Sequence, residues 1–250
     1  MTGVITRRKL IASIAAGGSS IALTGCSGPA YQGDALSTGG WLNYRLQRLV
    51  VGNALAKEFH ESEMSPVFRT NGNVDPATPE YAQFAANQFA DWRLRIDGLV
   101  GSPTSYSLAQ LRAMPSRTQI TRHDCVEGWS AIGKWGGVQL GRLLEQVGLQ
   151  PNARFIVFHC ADNFDDTPYY ESIDLVDARH PQTLLAYAMN DQPLSIGHGA
   201  PLRLRVERQL GYKQAKYVMR VEAVASLSGI GGGRGGYWED AAGYEWYAGI

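Results

Sequence analysis

Cys125 stands in the run Thr121-Arg122-His123-Asp124-Cys125-Val126-Glu127-Gly128-Trp129-Ser130, where one thiol shares a short stretch with acidic, basic and imidazole groups. A thiolate is a soft metal ligand and a nucleophile, and in either role it must first lose its proton. Arg122 and His123 are the neighbours that would favour that loss. A second run reads His198-Gly199-Ala200-Pro201-Leu202-Arg203, followed by Gly211-Tyr212-Lys213-Gln214-Ala215-Lys216-Tyr217. Small residues there let backbone approach a ligand, and Pro201 stiffens the loop. Arg203 can fork onto a phosphate while Lys213 offers a compact charge. Gly211 can free consecutive backbone N–H groups to form an anion nest. A thiol and a phosphate holder together point to a phosphorylated, metal-carrying cofactor.

Blander readings exist for each run. A lone Cys at a strand end is often a small buried hydrophobe, and the second run could be a hairpin that exposes its Arg and Lys. A metal-free enzyme would use Cys125 as nucleophile with His123 or His198 as base, but leaves Arg203 and Lys213 without a task. A third possibility is a non-catalytic lipoprotein that binds anionic ligands. No second Cys lies at metal-finger spacing and no C-x-x-C-H run exists, which argues against zinc and covalent haem. A Cys125–Cys160 disulfide stays open for an oxidising compartment.

The elements that must position these residues can be read from periodicity. From Trp41 a helix carries Leu42, Leu46, Leu49 and Val50 on one face. Thr78-Pro79-Glu80 is an N-cap followed by Pro at the first helical position, opening a helix to about Ala90. Trp92, Leu94 and Ile96 alternate with arginines and Asp97, a half-buried strand closed by Gly98. Ser107 caps a short helix ending at Pro115. Residues 117–124 are extended and deliver Cys125 at a strand end. Leu140, Leu143, Leu144 and Val147 form a helical stripe stopped by Gly148, and 154–160 is a buried strand. Alternation over 202–207 and 216–223 predicts two more strands, expected to be neighbours. The last stretch is aromatic, with Tyr237, Trp238, Tyr244, Trp246 and Tyr247. The whole reads as α+β, mixed β-sheets with short helices.

With 250 residues, 44% of them hydrophobic, the chain can bury a full core. Its 23 basic and 23 acidic residues balance, which gives no electrostatic footprint for nucleic acid. Residues 1–25 read as an export signal, with Arg7-Arg8-Lys9 before a short, weakly apolar stretch. The paired arginines resemble a twin-arginine signal, a route that exports folded, cofactor-loaded proteins. Leu23-Thr24-Gly25-Cys26 resembles a lipobox, with Cys26 as the lipidated first residue of a mature chain. Residues 26–40 then form a tether and 41–250 the functional domain.

Cys-Val-Glu-Gly-Trp-Ser at 125–130, Gly-Ala-Pro-Leu-Arg at 199–203 and Gly-Tyr-Lys-x-x-Lys-Tyr at 211–217 resemble the sulfite oxidase superfamily of molybdopterin enzymes. The likeness covers roughly Trp92 to Tyr247, with the three motifs in the family's order. It is nearest to the small bacterial branch that includes a periplasmic methionine-sulfoxide reductase subunit. The resemblance implies a sulfite-oxidase-type fold and a molybdenum–molybdopterin cofactor. It makes Cys125 the thiolate ligand of molybdenum and lets Glu127 and Trp129 shape the catalytic pocket. It implies that His198 and Asp162 contact the pterin, and that Arg203, Gly211, Tyr212 and Lys213 hold the phosphate. The upstream pterin-contacting segment of the reductase branch corresponds to Phe68-Arg69-Thr70-Asn71-Gly72, in which Asn71 is the candidate. The implied reaction is two-electron oxygen-atom transfer on a sulfite-like molecule or an S- or N-oxide. The haem and C-terminal dimerisation domains of animal sulfite oxidases find no room here. Electrons are therefore expected to pass to or from a membrane b-type or soluble c-type cytochrome in the periplasm.

Overall fold

The computed structural model describes residues 35–164 and 166–250. The export signal, the lipobox at Cys26 and most of the expected tether lie outside them. The first helix, α1 (Ala35–Val51), begins six residues earlier than the sequence reading from Trp41.

Two five-stranded sheets carry the fold. The first is built from β1 (Arg93–Gly98), β2 (Thr104–Ser107), β5 (Phe155–Phe164), β6 (Thr167–Asp174) and β10 (Val218–Val224), in the order β2-β1-β10-β5-β6. Only β1 and β10 run parallel; the other pairs are antiparallel. The second contains the long hairpin of β3 (Ser116–Cys125) and β4 (Trp129–Gln139), then β7 (Leu184–Met189), whose far edge pairs with β8 (Gln192–Pro193) at one end and β9 (Arg203–Arg205) at the other.

Local chemistry explains most of the elements. In α2 (Pro79–Ala86) the Thr78 side chain accepts from the Tyr81 N–H and Pro79 fills the first turn. Ser107 and Gln110 form a reciprocal capping box at the start of α3 (Leu108–Ala113). The stripe of α4 (Leu140–Val147) is fully buried, and Gly148 ends the helix at φ +67°. Two short helices, α5 (Leu175–Ala178) and α6 (Tyr237–Ala242), complete the set. Between the sheets Leu94, Ile96, Leu143, Phe158, Leu204 and Val221 belong to one continuous core. Gly137 permits the close approach of β4 to β7, because a Cβ there would lie 2.2 Å from the Leu185 carbonyl oxygen.

Three expectations need correction. β9 and β10 are not neighbours: they lie in different sheets, although the Val218 N–H to Leu202 carbonyl bond ties their ends together. The reason is that β9 is buried throughout, Arg203 and Arg205 included, so its alternation does not mark a solvent face. The strand expected to end at 160 runs on to Phe164 and so includes Asp162, beyond a register shift between His159 and Asn163. Cys125 and Cys160 are both free thiols, so the disulfide does not form.

Candidate cofactor site

The β3–β4 hairpin sets Cys125 opposite Trp129, and Gly128 at φ +85° makes the turn between them. Beside it a cleft of about 710 Å³ is open to solvent. Its walls bring together Asn71, Asn73, Cys125, Glu127, Asp162, Gly211, Tyr212, Gln214 and Lys216, and the aromatic rings of Trp238 and Tyr244. Five candidates from the sequence therefore share one cavity with the thiol: Asn71, Glu127, Asp162, Gly211 and Tyr212. Trp129, His198, Arg203 and Lys213 do not line it.

Those four have other surroundings. Trp129 donates to the Glu127 carboxylate at 3.0 Å and packs edge-on against Phe68. His198 is engaged at both ring nitrogens, with Ser195 Oγ at 2.8 Å and the Phe68 carbonyl at 3.2 Å. Arg203 is fully buried behind the cleft, donating to the His198 carbonyl at 3.3 Å with its guanidinium over the Trp135 ring. Its Nε and Nη2 have no partner. Burial, with Arg205 close by, pulls the Arg203 pKa down to about 9. Lys213 is turned into the core, where its ammonium bridges Glu171 and Glu239, the latter at 2.6 Å. Burial opposes that charge, but the two carboxylates hold the Lys213 pKa above its ordinary value.

The cation in the cleft wall is instead Lys216. Its Nζ donates to the carbonyls of Asn71 at 2.7 Å, Gly197 at 3.1 Å and Asn73. Burial, and then the Arg203 charge, lower its pKa to about 7. Asp162 accepts from Asn73 Nδ2 at 3.2 Å through one oxygen and leaves the other without a partner. Burial raises its pKa to about 6. Burial also pushes the Cys125 thiol up, while the Glu127 backbone N–H and the Arg203 charge favour the thiolate.

His123 supports the hairpin from below. Its Nδ1 lies 3.1 Å from Arg205 Nη1, which must donate, so the proton sits on Nε2. Burial and the two arginines hold its pKa well below the ordinary value, leaving the ring neutral. Arg205 is itself clamped by Glu207 through two bonds, at 3.0 and 2.5 Å. Gly211 packs on the His123 ring, where a Cβ would come within 2.6 Å of Cε1 and Nε2. Among the described residues no hydrogen bond joins Cys125 to His123 or His198, so the metal-free nucleophile pair is not assembled.

The residues fit a large polyfunctional ligand. Asn71 Oδ1, Asp162 Oδ1 and Gln214 Oε1 are buried in or beside the cleft without partners, and a native fold rarely leaves such groups unsatisfied. Among the described residues no group of three His, Cys, Asp or Glu could hold a metal ion. A metal at Cys125 must bring most of its ligands with it, as a pterin dithiolene does.

The model of the oxidoreductase molybdopterin binding domain matches residues 81–228. The chain belongs to this family. The resemblance read from its three motifs is thereby borne out, as is the cofactor it implied. Over 160 residues it is 43% identical to the putative protein-methionine-sulfoxide reductase subunit YedZ1 of Azospira oryzae, covering 64% of this chain and 56% of the relative. It is 36% identical over 144 residues to the catalytic subunit MsrP of Ralstonia nicotianae, covering 53% and 44%. The chain thus spans about half the length of these curated relatives. The sulfane dehydrogenase SoxCD of Paracoccus pantotrophus shares the fold with TM-score 0.50 at 24% identity, over 55% of this chain and 39% of that one.

Sequence reasoning missed Lys216, Gln214 and Asn73. The signal for Lys216 was present in the second Lys of Gly-Tyr-Lys-x-x-Lys, which the strand alternation disguised as surface.

Proposed function

We propose that this chain is an exported molybdenum oxidoreductase that carries out two-electron oxygen-atom transfer on an S-oxide. The observation that carries the reading is the half-buried thiol of Cys125 opening onto a cleft with unpartnered buried polar groups and a buried cation. The S-oxide is preferred over sulfite because two relatives are named as protein-methionine-sulfoxide reductases. The aromatic mouth of Trp238 and Tyr244 also suits an apolar substituent next to a polar oxygen.

Cys125 would give the thiolate ligand, Asn71, Asp162 and Gln214 would meet the hydrogen-bonding edges of the pterin, and the Gly211–Tyr212 backbone would receive the phosphate, with Lys216 holding the Asn71, Asn73 and Gly197 carbonyls of the cleft wall in place. Arg203 acts from behind, where its charge lowers the cost of ionising Cys125. Lys213 braces the turn through Glu171 and Glu239 rather than touching the ligand. When bound, the cofactor supplies the two-electron redox chemistry and the oxygen exchange. The protein contributes a site whose charges are fixed before substrate arrives and an aromatic wall that limits water.

The twin-arginine route, a periplasmic home and lipidation at Cys26 complete the proposal. Electrons would come from a membrane b-type or soluble c-type cytochrome. The test is a dye-linked assay of purified holoprotein on methionine sulfoxide, trimethylamine N-oxide and sulfite, with Cys125→Ser beside it. Turnover of an S-oxide that Cys125→Ser abolishes while the fold persists is expected. Sulfite oxidation alone would overturn the assigned direction.

A further inference from the structure

Helix α1 presents its apolar stripe outward. Leu42, Leu46, Leu49 and Val50 are 60, 56, 82 and 75% exposed, and Leu55 beyond the helix end is 58% exposed. The helix is held by its opposite, polar and aromatic face. Arg48 bridges Asp174 and Asp177, each at 2.7 Å, and Tyr44 donates to Asp174 at 2.7 Å while packing on Trp246 and Tyr247. So firm a polar anchorage fixes which face looks out. Contiguous large aliphatics on a surface helix mark an interaction site.

Several features favour one occupant. The helix contains no acidic residue, and Arg45 projects beside Trp41 with its guanidinium 5.5 Å from the ring centroid. An aliphatic stripe flanked by Trp and Arg is the composition of helices that lie in a headgroup layer. Leu42 follows Cys26 by only sixteen residues, so an acyl group there would keep α1 against the bilayer. Among the described residues no helix is long and apolar enough to cross a membrane. The segment lies outside the family-matched residues 81–228.

We infer that α1 is an interfacial helix whose Leu42, Leu46, Leu49 and Val50 insert into the headgroup region of an anionic lipid bilayer. It sets the orientation of the domain on the membrane and adds buried apolar area to the lipid anchor proposed at Cys26. The inference draws in part on the proposed anchoring at Cys26, but its test does not depend on it.

The full-length holoprotein with Cys26→Ser cannot be acylated, and is floated with phosphatidylglycerol/phosphatidylethanolamine vesicles. It is compared with the same chain carrying Leu46→Glu and Leu49→Glu. Both substitutions are at exposed positions, so melting temperature and molybdenum content should match. Vesicle binding by the first chain and a loss of about tenfold or more in the second is expected. No flotation of the Cys26→Ser chain would overturn the inference. So would equal flotation of both chains, which would assign binding to residues 1–34, or a dimer in gel filtration that the two glutamates dissolve, which would assign the stripe to a second copy. Failure of lipidation at Cys26 would show separately, as an unmodified wild-type chain by mass spectrometry.

Discussion

Two lysines three residues apart should behave in opposite ways, because one faces the core and the other the cleft. Lys213→Met removes the cation that bridges Glu171 and Glu239, both fully buried. Breaking a buried pair by removing one partner costs about 3–5 kcal/mol. Burial and Glu239 already hold the Glu171 pKa well above its usual value. One of the two carboxyls can therefore take up a proton, which puts the loss near the lower end, about 3 kcal/mol. For a chain of this size that is a fall in melting temperature of roughly 6–12 °C. Lys216→Met removes an amine whose charge is already disfavoured at neutral pH. The cofactor-free chain loses the three carbonyl bonds of that amine, about 1–2 kcal/mol or roughly 2–8 °C, less than the Lys213→Met loss, while molybdenum per folded chain drops severalfold. Differential scanning calorimetry on protein from a pterin-deficient host, with metal analysis of the same variants from a competent host, reads both quantities. A stable Lys213→Met chain that loses its metal, beside a Lys216→Met chain that unfolds early but keeps it, would refute the assignment.

Other outcomes follow from the same geometry. Cys125→Ser should leave the cofactor-free melting temperature within about 2 °C of wild type, since the thiol is only half-buried and a hydroxyl can keep its contact with Glu127, and change the molybdenum absorption edge in the loaded protein. Gly211→Ala should cost about 1–3 kcal/mol, because its Cβ meets the buried His123 ring, and this is read by chemical denaturation. The pKa of Lys216 is lowered on folding, so its buried charge costs stability fully below about 7 and not at all above its unfolded value. Between pH 7 and 9 the cofactor-free wild type should therefore gain stability relative to Lys216→Met. A constant gap between the two melting curves would count against a lowered pKa.

Much of the frame was legible because its signals are local. The capped start of α2, the Ser107 box, the four-residue stripe of α4 and the extended run into Cys125 each depend on neighbours a few residues away. The failures share a cause. Alternating Arg203, Arg205 and Lys216 look like surface in a strand pattern, yet each is buried because the site needs charge behind and beside it. Periodicity reports which residues share a face, not what lies against that face. The same limit applies to α1, whose stripe is a face as read, but an outward one, since Arg48 finds two aspartates 126 and 129 residues away. Lys213 was assigned by its place in a motif, and only the fold reveals that Glu171 and Glu239 converge on it.

The central claim is that the cleft beside Cys125 carries one molybdenum cofactor. Metal analysis and pterin fluorescence on chain expressed with its leader in a cofactor-making bacterium test it most directly. The account predicts near one molybdenum and one pterin per folded chain, both released on unfolding. Folded protein that carries neither, from cells that load other molybdenum enzymes, would contradict it.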